Sequence, residues 1–330
     1  MLPKLTDGGL ARLARRAGLW SIAFGLLLVA MVQIVDVEAV GEAMAGLSPA
    51  LLLVVVGLSF ANYALRSLRW HYLCRHVDVN VPLGHNAVYY VAGFAFTVTP
   101  GKIGEVVRLW FIKRRHGYGY ERTAGLMVMD RLTDAWPLLL LSLLGAAQFA
   151  GQGIALLLIS AVLVAGSVVM LHPAWIRRSI KLTYARIRRV PHVFARLLRA
   201  SRPLARFASP AAMSLPMALG LVGWFCEIVG TWLILDALGA PADLTTAAFV
   251  FGFSMLVGAL PIFPGGVGGA EGTMIGLLVL LGVPLPTAVA ATAVVRLVTL
   301  GLAVVIGFMV LPFAASLSRP IQRPLVATAG

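Results

Sequence analysis

Eight apolar stretches confine this 330-residue chain to a lipid environment, at 18–35, 48–66, 85–112, 123–148, 153–171, 212–236, 244–282 and 287–312. A helix needs about 20 apolar residues to cross the hydrocarbon core. Every backbone N–H and C=O in lipid must be satisfied inside the protein, which leaves helices and closed barrels. Runs of this length read as helices. A mean hydropathy of +0.91, with 60% hydrophobic and 12% charged residues, excludes a soluble domain. The expectation is an all-α integral membrane protein, one membrane domain over 1–330.

Two of the stretches are broken, at Pro100-Gly101 and at Pro264-Gly265-Gly266. The arms on either side of the first break are too short to cross, so 85–112 reads as a re-entrant hairpin. The arms of 244–282 are longer and allow a hairpin or two tilted spans; either way the chain returns to the side it left. This makes about six full spans plus two broken elements. The run at 18–35 follows Lys4, Arg12, Arg15 and Arg16, as in a signal peptide, but it is long. The nearest Ala-x-Ala, at 43–45, lies beyond it, so it reads as an uncleaved first span.

Of 27 Lys and Arg, Lys102, Arg108, Arg131 and Arg296 lie within apolar stretches. The other 23 fall at 4–16, 66–75, 113–122, 177–206 and 319–323, all on one side of the span order. The opposite loops, 36–47, 149–152, 237–243 and 283–286, contain no Lys or Arg. Basic loops mark the cytoplasmic side. Both termini are then cytoplasmic. The first hairpin enters from the cytoplasm and the second from outside. The longest loop, 173–211, carries ten Lys and Arg among Trp175, Ile176, Ile180, Tyr184 and Ile187 at helical spacing. It reads as an amphipathic segment on anionic headgroups, which accounts for the net charge of +14 without nucleic acid. Cys74 and Cys226 are too few for a disulfide framework or a metal site.

The chain repeats itself at an offset of 164–165. Phe60 meets Phe225, Asn62 meets Glu227, and Gly93 meets Gly258. Pro100, Gly101, Ile103 and Gly104 meet Pro264, Gly265, Val267 and Gly268, and Arg131-Leu132 meets Arg296-Leu297. Unit one is 48–148 and unit two 212–312; a linking span and the basic loop occupy 153–211. One unit begins outside and the other inside, so the repeat is inverted. Transporters of this build place their site where the broken elements meet.

Ionisable residues at membrane depth either neutralise one another and hold the hairpins or form the candidate site, with arginines on a phosphate and acids carrying protons or gating. Lys102, Glu105 and Arg108 follow the first break on nearly one helix face. Asp130, Arg131 and Asp134 lie about 10–16 Å into their span by helical rise. Glu227 is deep in its span, Glu271 follows the second break, and Arg296 lies in the last span. Arginine forks suit phosphate. Pro100, Gly101, Gly104, Pro264, Gly265, Gly266 and Gly268 shape the breaks, where free N–H groups and close backbone approach suit an anion. Lys102 aligns with Gly266 and Arg108 with Gly272, so charge belongs to the first hairpin. Arg66, Arg69 and Trp70 read as an interfacial anchor.

The segments "TPGKIGEVVRLWFIKR", "DRLTD", "LRSLRW" and "FPGGVGGAEG" resemble the signatures of the lysylphosphatidylglycerol synthase transmembrane-region family, over about residues 15–315. The resemblance implies a flippase-like protein that moves a phosphate-bearing envelope lipid across the bacterial inner membrane. It does not bring the soluble aminoacyl-transfer domain of the full synthase. No P-loop, catalytic motif, metal site or cofactor is expected, because "PGKIGE" lacks the Ser/Thr and the glycine spacing of a nucleotide loop. The expected partners are membrane lipids, with a homo-oligomer or an envelope-lipid synthase as further partner. Two rival readings are a membrane glycosyltransferase using a lipid-linked donor, given the acids of "VDVEAV", and a structural partner of a synthase.

Overall fold

The computed structural model describes residues 6–35, 37–100, 103–146, 161, 173–187, 194–195, 198, 206–207, 209–260 and 263–320. The span expected at 153–171 lies outside these residues apart from position 161, as do Gly101, Lys102 and much of the basic loop. Ser-Pro opens two of the long helices. α3 (Pro49–His76) starts with Ser48 accepting from the Leu51 amide at 3.2 Å. The helix at Pro210–Ala237 starts with Ser209 accepting from the Ala212 amide at 3.2 Å. In both, the serine caps a free amide and proline supplies a ready-made first turn.

The remaining helices are α1 (Asp7–Val35), α2 (Val37–Ala45), α4 (Leu83–Ala92), α5 (Ile103–His116), α6 (Tyr120–Gly145) and α7 (Pro173–Ile187). Pro210–Ala237 is α8, and α9 (Leu244–Gly258), α10 (Gly269–Leu280), α11 (Leu285–Arg296) and α12 (Leu302–Leu317) follow. No strand occurs among the described residues. A π turn, Leu297–Gly301, joins α11 to α12 without a break. Widening a helix this way frees carbonyls. Here the Tyr63 hydroxyl of α3 donates to the Thr299 carbonyl and lies 3.4 Å from that of Val298.

Among the described residues, four helices are long and apolar enough to cross a membrane: α1, α3, α8 and the continuous Leu285–Leu317. α6 has 26 residues, sufficient in length, but carries Glu121, Arg122, Asp130, Arg131 and Asp134. Several bounds exceed the apolar runs. α1 begins at Asp7, so Arg12, Arg15 and Arg16 ride on its first turns. α3 continues ten residues past 66 and takes Arg66 and Arg69 into the helix. The short α2 occupies the segment read as an outer loop.

Both broken stretches are broken here. α4 runs into a 3-10 turn, Gly93–Phe96, before α5; α9 and α10 flank the turn Pro264–Gly266. α3 packs along α8 at the centre. α4 and its 3-10 turn pack on α12, while α9 packs on α6. Each helix before a break therefore rests on a helix distant in sequence. Gly145 of α6 sits against Thr245 and Phe249, and Gly307 of α12 against Phe94 and Ala95; a side chain at either would collide with them. The two main apolar cores surround these contacts, one around Trp70, Tyr90, Phe96 and Phe111, the other around Ile228, Phe251 and Leu278.

Candidate functional site

The hairpins close through glycine. A Cβ on Gly104 would strike the Gly93 carbonyl, so only two glycines let α5 fold back on the 3-10 turn. In the second hairpin, Gly258 and Gly266 meet the same way: a Cβ on Gly266 would lie 2.9 Å from the Gly258 oxygen. The breaks also touch each other. A Cβ on Gly265 would fall 2.6 Å from the Cα of buried Val98. Gly265 has a φ of 64°, which glycine adopts without strain.

Beside the first break, α3, α5 and α6 bring four arginines onto three carboxylates. Arg69 has no exposed side-chain surface. It donates to Asp130 at 2.8 Å, to Asp134 at 2.7 Å and to the Thr133 carbonyl at 2.7 Å. Arg108 donates to the other Asp130 oxygen at 3.2 Å and lies 3.8 Å from the Tyr90 ring centre. Arg66 pairs with Asp134 at 3.0 Å and stacks on Trp224, whose indole N–H also donates to Asp134 at 3.2 Å. Arg131 pairs with Glu105 and approaches Asp134 at 3.9 Å. Its side chain is 39% exposed, the most open of the four.

This cluster is positive by one charge when its carboxylates are ionised. The Nε of Arg66, Arg69, Arg108 and Arg131 is in each case buried with no hydrogen-bond partner among the described residues. An unpartnered buried donor costs about 1–3 kcal/mol, and more on a charged group. Four such donors around one carboxylate set offer unspent capacity for an acceptor.

Beside the second break the arrangement is neutral. The Arg296 Nε donates to Glu271 at 2.5 Å, and the other Glu271 oxygen accepts from the Gly268 amide at 2.6 Å. Both side chains are buried. Glu105 and Glu271 each lie in the first turn of a return arm and each reach the arginine of the next span. Glu227, in the interior of α8, accepts from Ser59 at 3.0 Å and from Asn62 at 2.6 Å, both on α3.

The structure thus gathers Glu105, Arg108, Asp130, Arg131 and Asp134 in one cluster. It puts Glu271 and Arg296 in a second and Glu227 between α3 and α8. Lys102 lies outside the described residues. Arg66 and Arg69 belong to the first cluster rather than to an interfacial anchor, and Trp224, Tyr90, Ser59 and Asn62 also join the polar interior. The signal for the two arginines was their three-residue spacing, which puts both on one face of α3. No group of three or more His, Cys, Asp or Glu that could hold a metal occurs among the described residues. At the cytoplasm-assigned end, Arg206 bonds to Asp78 and holds its carboxyl below the usual range.

The family model described as "Lysylphosphatidylglycerol synthase TM region" matches residues 18–307. A UPF0104 membrane protein of Methanothermobacter thermautotrophicus is similar to this chain, 26% identical over 331 residues. The match covers 90% of this chain and 96% of the relative. A second UPF0104 membrane protein from that organism is 36% identical over 66 residues, 20% of each chain.

Proposed function

We propose, from the premise that this chain belongs to the lysylphosphatidylglycerol synthase TM-region family, that it moves a phosphate-bearing lipid between membrane leaflets. The membrane is the bacterial inner membrane in this reading. The observation that carries it is the first cluster: four guanidinium groups, three carboxylates and four unpartnered Nε donors. A phosphate monoanion or diester balances that excess and takes those donors. Charge-assisted bonds to arginine forks are the strong ones. Arg131, the open member, meets the headgroup first; Arg66 and Arg108 follow as it moves inward, while the acyl or prenyl tails stay in lipid.

Two further features support transport over simple binding. First, α3 and α8, the opening spans of the two units, pack on each other, and Asn62 touches its offset partner Glu227. A residue can touch its own counterpart only near the axis relating the two units. We therefore read an inverted repeat about an axis between α3 and α8. Second, each first arm packs on the last span of the other unit. Rocking one unit against the other then opens the site to one side at a time. The assigned topology, with both termini cytoplasmic, puts the first hairpin on the cytoplasmic side.

A sidedness assay tests this. The protein is placed in vesicles containing fluorescent phosphatidylglycerol and, in parallel, fluorescent polyprenyl phosphate. The fraction protected from an external quencher is followed over time. Wild type should accelerate exchange of at least one probe with its mass unchanged. Arg131→Gln, folded as judged by thermal unfolding, should slow that exchange about tenfold, the worth of one charge-assisted bond. Wild-type rates in Arg131→Gln would rule out this site. A change in lipid mass would favour an enzyme.

A further inference from the structure

Glu227 takes no part in either arginine cluster. Its side chain is buried, and no Lys or Arg lies within ion-pair distance of it among the described residues. Its partners are two neutral donors, Ser59 and Asn62. Isolated burial of a carboxylate is costly, so such a group binds a proton or a cation or meets a mobile charge. The surroundings leave a proton rather than a metal ion. Ser59 and Asn62 spend hydrogens on the carboxylate, which supports its ionised form, and neither presents an oxygen to share a metal ion with it. α3 and α8 are unbroken here, so no backbone carbonyl is released to ligate a metal ion.

The groups facing Glu227 can be named element by element. From α3 they are Tyr63 and Arg66, and Arg66 is the cation whose charge acts on it. α6 supplies Asp134 and Arg131, which belong to the first cluster. α9 has no titratable side chain. α11 has only Arg296, held by Glu271. On α8 itself the neighbour is Cys226, and Trp224, one turn away, stacks under Arg66 and bonds Asp134. Arg66 is one turn along α3 from Asn62, and its Nε has no partner among the described residues. It is therefore placed between two carboxylates, Asp134 and Glu227, and paired with the first.

We propose that Glu227 is a proton-binding site that couples lipid movement to the transmembrane proton gradient by trading Arg66 between Asp134 and its own carboxylate. This deepens the transport reading and rests on it. With Glu227 protonated, Arg66 stays on Asp134, the pairing seen at 3.0 Å. Loss of the proton leaves a bare carboxylate that draws Arg66 away. Asp134 is then released toward Arg131, and the phosphate loses one of its guanidinium partners. Binding the proton on one side and releasing it on the other makes the headgroup's grip alternate. Nothing is consumed except the gradient.

Two measurements test this together. The first is infrared difference spectroscopy of wild type across a pH titration. It should give a protonated-carboxyl band that Glu227→Gln abolishes and Glu227→Asp retains. Glu271→Gln should leave the band in place. No such band, or one unchanged in Glu227→Gln, overturns the site. The second uses vesicles with fluorescent phosphatidylglycerol and an imposed pH difference. Wild type should drive the probe to an asymmetric distribution that collapses when a protonophore removes the difference. Glu227→Asp, which keeps a carboxyl, should retain the bias and Glu227→Gln should lose it. Probe movement with no bias by the pH difference, or a bias set by a sodium gradient instead, overturns the coupling. No probe movement by wild type under any condition fails the transport reading itself, a different outcome.

Discussion

Glu105 reaches Arg131 after the first break, and Glu271 reaches Arg296 after the second, yet the first pair is open and the second is shut away. Arg131 is 39% exposed at its side chain, while Arg296 is 6% and Glu271 1% exposed. The Arg296 Nε is used by Glu271; that of Arg131 has no partner among the described residues. One mechanical device, a glutamate in the first turn tied to the following span, serves both hairpins. In the second it is complete in itself. In the first it is embedded among three more arginines and left one charge in surplus. The comparison teaches that two alike breaks need not carry alike chemistry: one pair is closed on itself, and the other leaves charge and donors over.

The largest test of that division is Arg69→Met. Arg69 neutralises Asp130 and Asp134 with no exposure of its own. Removing it breaks two fully or nearly buried pairs at once and frees the Thr133 carbonyl, leaving Asp130 to Arg108 and Asp134 to Arg66, which costs about 3–5 kcal/mol. Thermal unfolding in detergent should fall accordingly, or folded protein should not be recovered. Arg296→Met comes next, leaving Glu271 buried and alone, at about 3 kcal/mol. Its counterpart Arg131→Met should cost less, about 1–2 kcal/mol, because the arginine is open to solvent although Glu105 is not. Equal losses at the two arginines would break the comparison. For lipid the order reverses: Arg131→Gln should weaken phosphatidylglycerol binding about tenfold, measured by titration in nanodiscs. The smallest effect is at the surface. Asp78 is held below its ordinary range by Arg206, so its contribution to stability is full above the unfolded value. It is lost as pH falls through the lower folded value. Arg206→Gln should remove that acid-side dependence from unfolding curves, and high salt should blunt it.

Much of this was legible in the sequence because proline and glycine are costly within helices, so Pro100-Gly101 and Pro264-Gly265-Gly266 announce breaks wherever they fall. The glutamates and arginines stood out against an apolar background. What the sequence concealed has physical reasons too. Arg66 and Arg69 ended the apolar run at 66, and hydropathy cannot see that buried partners let α3 continue to His76. The offset paired Asn62 with Glu227 as counterparts, but equivalence says nothing of contact. Their hydrogen bond depends on how α3 packs on α8. The π turn at Leu297–Gly301 leaves no mark in composition, since its stabilising partner, Tyr63, is more than 200 residues away.

Gly265 against Val98 is main chain on main chain, without a side chain between. Such a contact has no rotamers to rearrange and no volume to give up. A side chain at position 265 would have to push the two tips apart, so the missing atom sets how near the two bends can lie.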